Sequence, residues 1–221
     1  QLDIVDTNPA VFAMAKHFTS NHGVLDDPRV QSITMDGRAW LRRTNSSYDI
    51  ITLEPMPPNF AGSNALYAQE FYEVLATRLK EGAIVAQWLP FYLVTPEHSV
   101  YITAAFQAVF EQTVLWVEPC DGTGILLGRW GPYDENFGAT WPGFSRHERQ
   151  RLLTREAGQK AIRLNAEECK RYASMGFPVT DDNQSLSYGH GKIQKFSLRR
   201  MQTTALNFEL IDKVKQGAQA P

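Results

Sequence analysis

The segment Tyr48–Pro90, YDIITLEPMPPNFAGSNALYAQEFYEVLATRLKEGAIVAQWLP, contains the pattern that decides the fold. Its nearly continuous apolar run Tyr48–Leu53 predicts a central parallel strand covered on both faces. A loop rich in proline, asparagine and glycine follows, and then a predicted helix over Ala65–Lys80 with one apolar side. Gly82 ends this helix, and Ala83–Leu89 predicts a second buried strand. A strand, a helix and a strand in this order are typical of a parallel α/β sheet.

The same alternation extends upstream of this segment. Strands are predicted over Leu2–Val5 and Arg29–Met35 because these runs are apolar or alternate in polarity. The helix between them is expected over Pro9–Phe18, with Asn8 as its N-cap and Pro9 in its first turn. Its expected buried face consists of Val11, Phe12, Met14 and Ala15. A short helix over Arg38–Arg43 is expected to direct Trp40 and Leu41 inward.

The alternation also extends downstream. Thr95-Pro96-Glu97 is a helix start with a cap, an early proline and an acid, and the helix is expected to reach about Phe110. Strands over Thr113–Val117 and Gly124–Leu127, joined by a turn at 119–122, would form an antiparallel pair. We therefore predict an α/β fold with a doubly wound, mostly parallel sheet over residues 1–130.

Residues 131–221 are predicted to be a linker and a helical C-terminal extension. Helices are expected over about 146–160 and 166–174, an extended stretch over 178–188, and a final helix from about Leu198 to Lys215. The first residues already lie in a strand-like run without a methionine, so we expect the chain to start within a domain.

Composition limits the classes of function. The 221 residues are 43% hydrophobic and 21% charged with a net charge of −2, which is typical of a globular protein and not of a basic nucleic-acid binder. Residues 1–140 hold 8 basic and 16 acidic residues, so this part is acidic and the remainder basic. The two cysteines and five histidines show no metal-ligand spacing, so no metal is expected. No span or signal peptide is predicted, and the thiols fit a cytoplasmic protein.

Three acids stand at the predicted ends of strands, where ligands of open α/β sheets bind. Asp6 can accept hydrogen bonds from two ribose hydroxyls, and Asp36 can accept from an adenine amino group. Each could instead only cap the helix that follows. Together, on neighbouring strands, they suggest a pocket for an adenosyl group. Glu54 would face the same cleft and could orient or deprotonate an amine, or it could be a solvated loop acid.

The segments VDTNPAVFAMAKHF, DDPRVQSITMDGRAWLRR and Tyr48–Pro90 resemble the spermidine synthase family, the polyamine aminopropyltransferases. This resemblance covers roughly residues 2–130, and TDDNQSLSY at 180–188 is similar to the TDD-x-P element of that family. It implies a Rossmann-like fold of the S-adenosylmethionine methyltransferase type and aminopropyl transfer from decarboxylated S-adenosylmethionine to a diamine. By the resemblance, Asp6 takes the ribose position, Asp36 and Gly37 the adenine side, and Gln87 and Tyr67 the acceptor side.

The sequence departs from the family at three places. In the TDD-x-P element, Gln184 stands where proline is usual. The family motif D-x-x-D-P aligns with Glu54–Pro58, so Glu54 keeps the first acid and Pro57 replaces the second. The first strand and the glycine-rich loop of the family would precede Gln1, so the sheet is expected to lack that strand. The subgroup that this chain resembles most is often fused to membrane-spanning segments, which implies a possible span upstream.

The sequence therefore leaves three functions open. The first is a spermidine-synthase-like protein that binds an S-adenosylmethionine-type nucleoside and possesses a degenerate acceptor site. The second is a non-catalytic structural or interaction module, and the third is an S-adenosylmethionine-dependent methyltransferase, because fold does not fix function. The resemblance also implies a homodimer that acts on small molecules, with decarboxylated S-adenosylmethionine or S-adenosylmethionine as a substrate and without nucleic acid.

Overall fold

A computed structural model describes residues 1–58, 60, 62–117, 123–134, 162–187 and 197–217. The chain forms two compact units, Gln1–Ser46 and Ser47–Pro221, which are described separately below. The expected turn at 119–122 and the expected helix over about 146–160 lie outside the described residues. The expected domain division at residue 130 stays a prediction.

The first unit contains two parallel strands, each followed by a helix. Strand β1 spans Leu2–Asp6 and strand β2 spans Val30–Thr34, and the register runs from Leu2 opposite Val30 to Asp6 opposite Thr34. Helix α1 spans Pro9–Ala15 and helix α2 spans Gly37–Arg43. The expected cap is confirmed, because the Asn8 side chain accepts a hydrogen bond from the Ala10 N–H at 3.0 Å.

The expected buried face of α1 is wrong. The helix ends at Ala15 rather than Phe18, and none of its residues is buried. Val11 and Met14 are 46% and 55% exposed. The sheet of this unit has only two strands, which leaves little apolar surface to cover a helix face. The buried apolar residues of the unit are Ile33 and Leu41.

The second unit is built on a five-stranded sheet with the order β3-β4-β6-β5-β7. Its strands are β3 (Tyr48–Leu53), β4 (Leu79–Leu89), β5 (Gln112–Val117), β6 (Gly124–Arg129) and β7 (Ile162–Leu164). Its helices are α3 (Gln69–Ala76), α4 (Pro96–Gln107), α5 (Ala166–Ala173) and α6 (Ser197–Lys215). The expected C-terminal helices at 166–174 and 198–215 are therefore confirmed.

The expected α/β fold class is confirmed, with more antiparallel pairing than the sequence indicates. Strands β3 and β4 pair in parallel, whereas β6 pairs antiparallel with both β4 and β5. Strand β6 follows β5 without an intervening helix and inserts between two strands that run in the opposite direction. Strand β7, which the sequence pattern does not reveal, adds a further antiparallel pair to β5.

Three expectations for the segment Tyr48–Pro90 are wrong, and the first is that Gly82 ends a helix, because Gly82 lies within β4. Strand β3 is an edge strand of its sheet and its Ile50 is 65% exposed, so β3 is not covered on both faces. The helix expected over Ala65–Lys80 is shorter, because Ser63–Leu66 forms a 3₁₀ turn and β4 begins at Leu79. Apolar residues at helical spacing are also buried by a turn or a strand end, so the spacing overestimated the helix.

Aromatic side chains fill the core between this sheet and helices α3 and α4. Tyr72 lies edge-on to Phe106 with ring centroids 5.1 Å apart, and Phe106 lies 4.7 Å from Phe110. Gly128 of β6 is in contact with these rings, because a Cβ atom there would lie 2.7 Å from Phe106 Cε1. This core supports the carboxyl ends of β3 and β4.

Candidate functional site

In the first unit, the parallel pairing brings Asp6 and Asp36 to the same edge of the sheet. Asp6 ends β1 opposite Thr34, and Asp36 lies two residues beyond that partner. The backbone closes this edge, since the Met35 N–H donates to the Asp6 carbonyl at 3.0 Å. The structure therefore places two carboxylates where the chain turns from each strand into its helix.

Both carboxylates also perform the local role that the sequence left open. Oδ1 of Asp6 accepts a hydrogen bond from the Asn8 N–H at 2.7 Å, and Oδ1 of Asp36 accepts from the Ala39 N–H at 2.8 Å as the N-cap of α2. These local contacts use Oδ1 of each residue, so Oδ2 remains for a ligand. A Cβ atom built on Gly37 meets nothing within 4 Å, so local packing does not by itself require glycine there.

In the second unit, the parallel pairing of β3 and β4 places Glu54 beside the end of β4. Leu53 is opposite Gln87, so Glu54 follows at the level of Trp88. Glu54 is exposed, whereas Gln87 is fully buried. The Gln87 amide accepts a hydrogen bond from Tyr72 Oη at 3.1 Å and donates to the Trp88 carbonyl at 2.9 Å. The acceptor-side role of Gln87 stays a prediction.

Tyr67 lies beneath the loop that follows β3. Its side chain is fully buried, and its hydroxyl donates to the Met56 carbonyl at 3.3 Å. Burial raises the pKa of Tyr67 well above its usual range, and the negative charge of Glu54 raises the pKa further. Tyr67 therefore stays a neutral hydrogen-bond donor that holds the loop, with the Glu54 carboxylate close enough to affect its ionisation.

Apolar and aromatic side chains that the sequence does not mark as site residues lie in the two segments that meet at Glu54, the loop after β3 and the end of β4 with its loop. The Trp88 and Tyr92 rings lie 6.2 Å apart at an angle of 60°. Met56 and Phe60 of the loop after β3 are 57% and 51% exposed. No local sequence signal marks these residues. Trp88 is brought to the level of Glu54 by the β3–β4 register, in which Leu53 lies opposite Gln87.

The TDDNQS stretch forms a turn against helix α3. Asn183 and Thr180 close the turn by exchanging hydrogen bonds between side chains and backbone N–H groups at 3.0 and 3.1 Å. The Asp181 N–H donates to Oε2 of Glu70 at 3.0 Å, and the Gln69 N–H donates to the Val179 carbonyl at 2.8 Å. This turn therefore packs beside the segment that contains Tyr67.

A buried polar network joins the C-terminal helix to the loop after β4. The Asn207 amide of α6 donates to the carbonyls of Phe91 and Val94 at 3.2 and 2.9 Å. Its Oδ1 accepts from Ser99 Oγ at 2.6 Å, and Ser99 Oγ lies 2.6 Å from Tyr172 Oη. No local sequence pattern could have revealed this network, because its members are up to 116 residues apart.

Two kinds of arrangement are absent from the part of the chain that the structure describes. Among those residues, no group of three or more histidine, cysteine, aspartate or glutamate side chains is arranged to hold a metal ion. Among the same residues, no helix has both the length and the apolar character needed to cross a membrane.

The fold is similar to that of solved spermidine synthases. The Thermotoga maritima enzyme superimposes with a TM-score of 0.53 and 15% identity over 78% of this chain and 60% of that chain. A spermidine synthase in complex with the transition-state analogue AdoDATO gives a TM-score of 0.54, also at 15% identity, over 78% of this chain and 59% of that chain. At such identities the likeness shows the fold alone.

Sequence comparison defines the family. The spermine/spermidine synthase domain matches residues 1–118, more than half of the chain, so the chain belongs to this family. Polyamine aminopropyltransferase 2 of Pseudomonas aeruginosa is 35% identical over 97 residues, which are 43% of this chain and 28% of that protein. Polyamine aminopropyltransferase 1 of Streptomyces coelicolor is 33% identical over 89 residues, 38% of this chain and 17% of that protein. The chain thus spans less than a third of either relative.

Proposed function

We propose that this chain binds the nucleoside part of an S-adenosylmethionine-type sulfonium compound at the edge formed by Asp6 and Asp36. The observation that carries the proposal is the parallel β1–β2 register, which gathers both carboxylates at one edge with Oδ2 of each left for a ligand. Asp6 would accept from ribose hydroxyls and Asp36 from the adenine amino group, since both ligand groups are donors. Gly37 would leave space for the ring.

The family membership supports aminopropyl transfer from decarboxylated S-adenosylmethionine as the reaction. In that transfer, the nitrogen of a neutral amine forms a bond to the aminopropyl carbon that is attached to sulfur. The carbon–sulfur bond breaks, its electron pair stays on sulfur, and methylthioadenosine leaves. Glu54 would accept the proton that the acceptor ammonium must lose before it attacks. A homodimer belongs to this proposal on the resemblance alone, and a cytoplasmic location on the spacing of the two cysteines.

A non-catalytic module is the second candidate, and one observation favours it. Pro57 occupies the position of the second acid in the family motif, and a proline ring can neither bind nor deprotonate an ammonium. Nucleoside binding without transfer to any amine would support this candidate. Binding of S-adenosylmethionine alone, without its decarboxylated form, would favour a methyltransferase.

The test of the nucleoside site is calorimetric titration of the chain with methylthioadenosine, S-adenosylmethionine and decarboxylated S-adenosylmethionine. Asp6→Asn and Asp36→Asn keep an oxygen for the local N–H contacts but replace the second oxygen with a donor. Each should weaken methylthioadenosine binding by about tenfold to a hundredfold, the usual loss for a hydrogen bond to a charged group. Asp26→Asn is the matched control, since Asp26 precedes the amino end of β2.

The identity of the base supplies a second test of Asp36. Methylthioinosine has a carbonyl oxygen where adenine has an amino group, so an asparagine at position 36 could donate to it. Asp36→Asn should therefore narrow or reverse the preference for methylthioadenosine over methylthioinosine. Unchanged affinities in both aspartate variants would refute the assignment of this edge.

A further inference from the structure

The edge formed by the ends of β3 and β4 carries one charge. Segment 54–68 follows β3, and segment 87–96 contains the end of β4 and the loop after it. Together they contain a single charged residue, Glu54. The register fixes the neighbourhood, because Leu53 opposite Gln87 puts Glu54 at the level of Trp88. Within these two segments, a ligand at this edge therefore meets one carboxylate and no other charge.

The uncharged surroundings are apolar and aromatic. Met56 and Phe60 of the loop after β3 are more than half exposed, at 57% and 51%. On the β4 side, the Trp88 and Tyr92 rings meet at 6.2 Å. We name this set the acceptor cluster: Glu54, Met56, Phe60, Tyr67, Trp88 and Tyr92. An exposed methionine and aromatic rings gain free energy by covering an apolar group, and a ring face also attracts a cation.

The loop that presents Met56 is held in place. Tyr67 Oη donates to the Met56 carbonyl at 3.3 Å, and the Phe60 N–H donates to the Pro57 carbonyl at 2.9 Å. Pro55, Pro57 and Pro58 fix φ in the same stretch. The backbone of this loop is therefore restrained before a ligand arrives, which lowers the entropy lost on binding.

The charge balance selects among amines. One carboxylate compensates one ammonium, while a second ammonium at this edge would lose water against proline and methionine without a partner. Glu70, three residues after Tyr67, already uses Oε2 to accept the Asp181 N–H at 3.0 Å. Building on the proposed function, we infer that the acceptor of this protein is a primary monoamine with an apolar substituent, not a diamine.

The test compares two amines of equal length, n-hexylamine and 1,6-diaminohexane, by calorimetry on the full chain saturated with methylthioadenosine. The monoamine should bind at least fivefold more tightly than the diamine. Glu54→Gln should weaken monoamine binding at least tenfold and leave methylthioadenosine affinity unchanged. Glu81→Gln is the charge-matched control, because Glu81 is exposed near the amino end of β4.

A gain-of-function variant tests the same reasoning from the opposite direction. Pro57→Asp adds a second carboxylate three residues after Glu54, so it should raise diamine affinity at least fivefold and remove the preference for the monoamine. Circular dichroism and the methylthioadenosine affinity confirm that the variant is folded.

The outcomes separate the two proposals. Absence of methylthioadenosine binding refutes the proposed function, and the amine comparison is then made on the chain alone. A diamine that binds as tightly as the monoamine, or absence of binding by both amines while methylthioadenosine binds, overturns the acceptor inference only.

Discussion

Truncation of Asn207 to alanine should destabilise the second unit far more than any exposed amide truncation on the same helix. Asn207 is fully buried, and its amide bridges α6 to the loop between β4 and α4. The loop carbonyls of Phe91 and Val94 accept from this amide at 3.2 and 2.9 Å, while Ser99 Oγ donates to its Oδ1 at 2.6 Å. Asn207→Ala removes these three contacts, and also the bond from its amide to the Thr203 carbonyl of the same helix at 2.9 Å, and leaves their partners buried.

The expected magnitude follows from those three contacts. A buried polar group that loses its partner costs about 1–3 kcal/mol. Ser99 retains a contact with Tyr172 Oη at 2.6 Å, so its loss is partly offset. The two loop carbonyls dominate, and we expect a loss of about 2–5 kcal/mol in the free energy of unfolding. For a chain of this size, that corresponds to a melting temperature lower by roughly 5–20 °C.

Urea denaturation followed by circular dichroism measures this loss directly. Gln202→Ala is the matched control, since Gln202 is an exposed amide on the same helix and should change stability by less than about 0.5 kcal/mol. Asn207→Asp separates the acceptor role of this side chain from its donor role, because aspartate keeps an acceptor for Ser99 but cannot donate to the loop carbonyls. A loss below about 1 kcal/mol for Asn207→Ala would show that the loop carbonyls are satisfied in another way, and would refute the reasoning.

Three further predictions concern the second unit. Gly128→Ala places a Cβ atom 2.7 Å from Phe106 Cε1, so it should cost about 1–3 kcal/mol in urea denaturation, and an unchanged midpoint would contradict the packing. Burial raises the pKa of the Cys169 thiol, so the native state keeps a proton that the unfolded state loses above about pH 9. The free energy of unfolding should therefore decrease above that pH by about 1.4 kcal/mol per pH unit. Cys169→Ala should flatten that part of the plot of stability against pH. The hydrogen bond to Glu97 raises the pKa of Tyr101 to about 12, and Glu97→Gln should lower the value seen in an ultraviolet titration.

Local sequence signals predicted the elements of this fold well where a cap or a continuous apolar run was present. The start of α4 illustrates this, since Thr95 Oγ1 accepts the His98 N–H at 3.2 Å as expected. The signals failed where burial depends on partners far along the chain. Ile50 belongs to an apolar run that predicts a covered strand, yet its exposure follows from the position of β3 at a sheet edge. Position in a sheet is a property of topology, which the local run does not contain.

The candidate sites also contain residues that a local pattern predicts and residues that depend on distant partners. The placement of Asp6, Asp36 and Glu54 at strand ends was predictable, because a carboxylate at the end of a parallel strand is a local pattern with a known place in the fold. The apolar partners of Glu54 were not predicted, since Trp88 comes 34 residues later and reaches Glu54 only through the β3–β4 register. Both proposals therefore depend on a strand register, β1–β2 for the nucleoside and β3–β4 for the acceptor, but only the strand-end carboxylates could be recognised in the sequence.

The role of Gln87 can be judged both from the family resemblance and from its hydrogen bonds in the structure. The family resemblance places it on the acceptor side, but the structure uses both of its polar groups internally, with Tyr72 Oη as donor and the Trp88 carbonyl as acceptor. A buried amide that holds the next residue's carbonyl fixes the peptide from which the Trp88 ring projects. Gln87 can thus influence the acceptor cluster without touching a ligand, by setting the orientation of Trp88 beside Glu54. Gln87 would then position the residue that makes the contact, and Gln87→Leu should affect amine affinity and not nucleoside affinity.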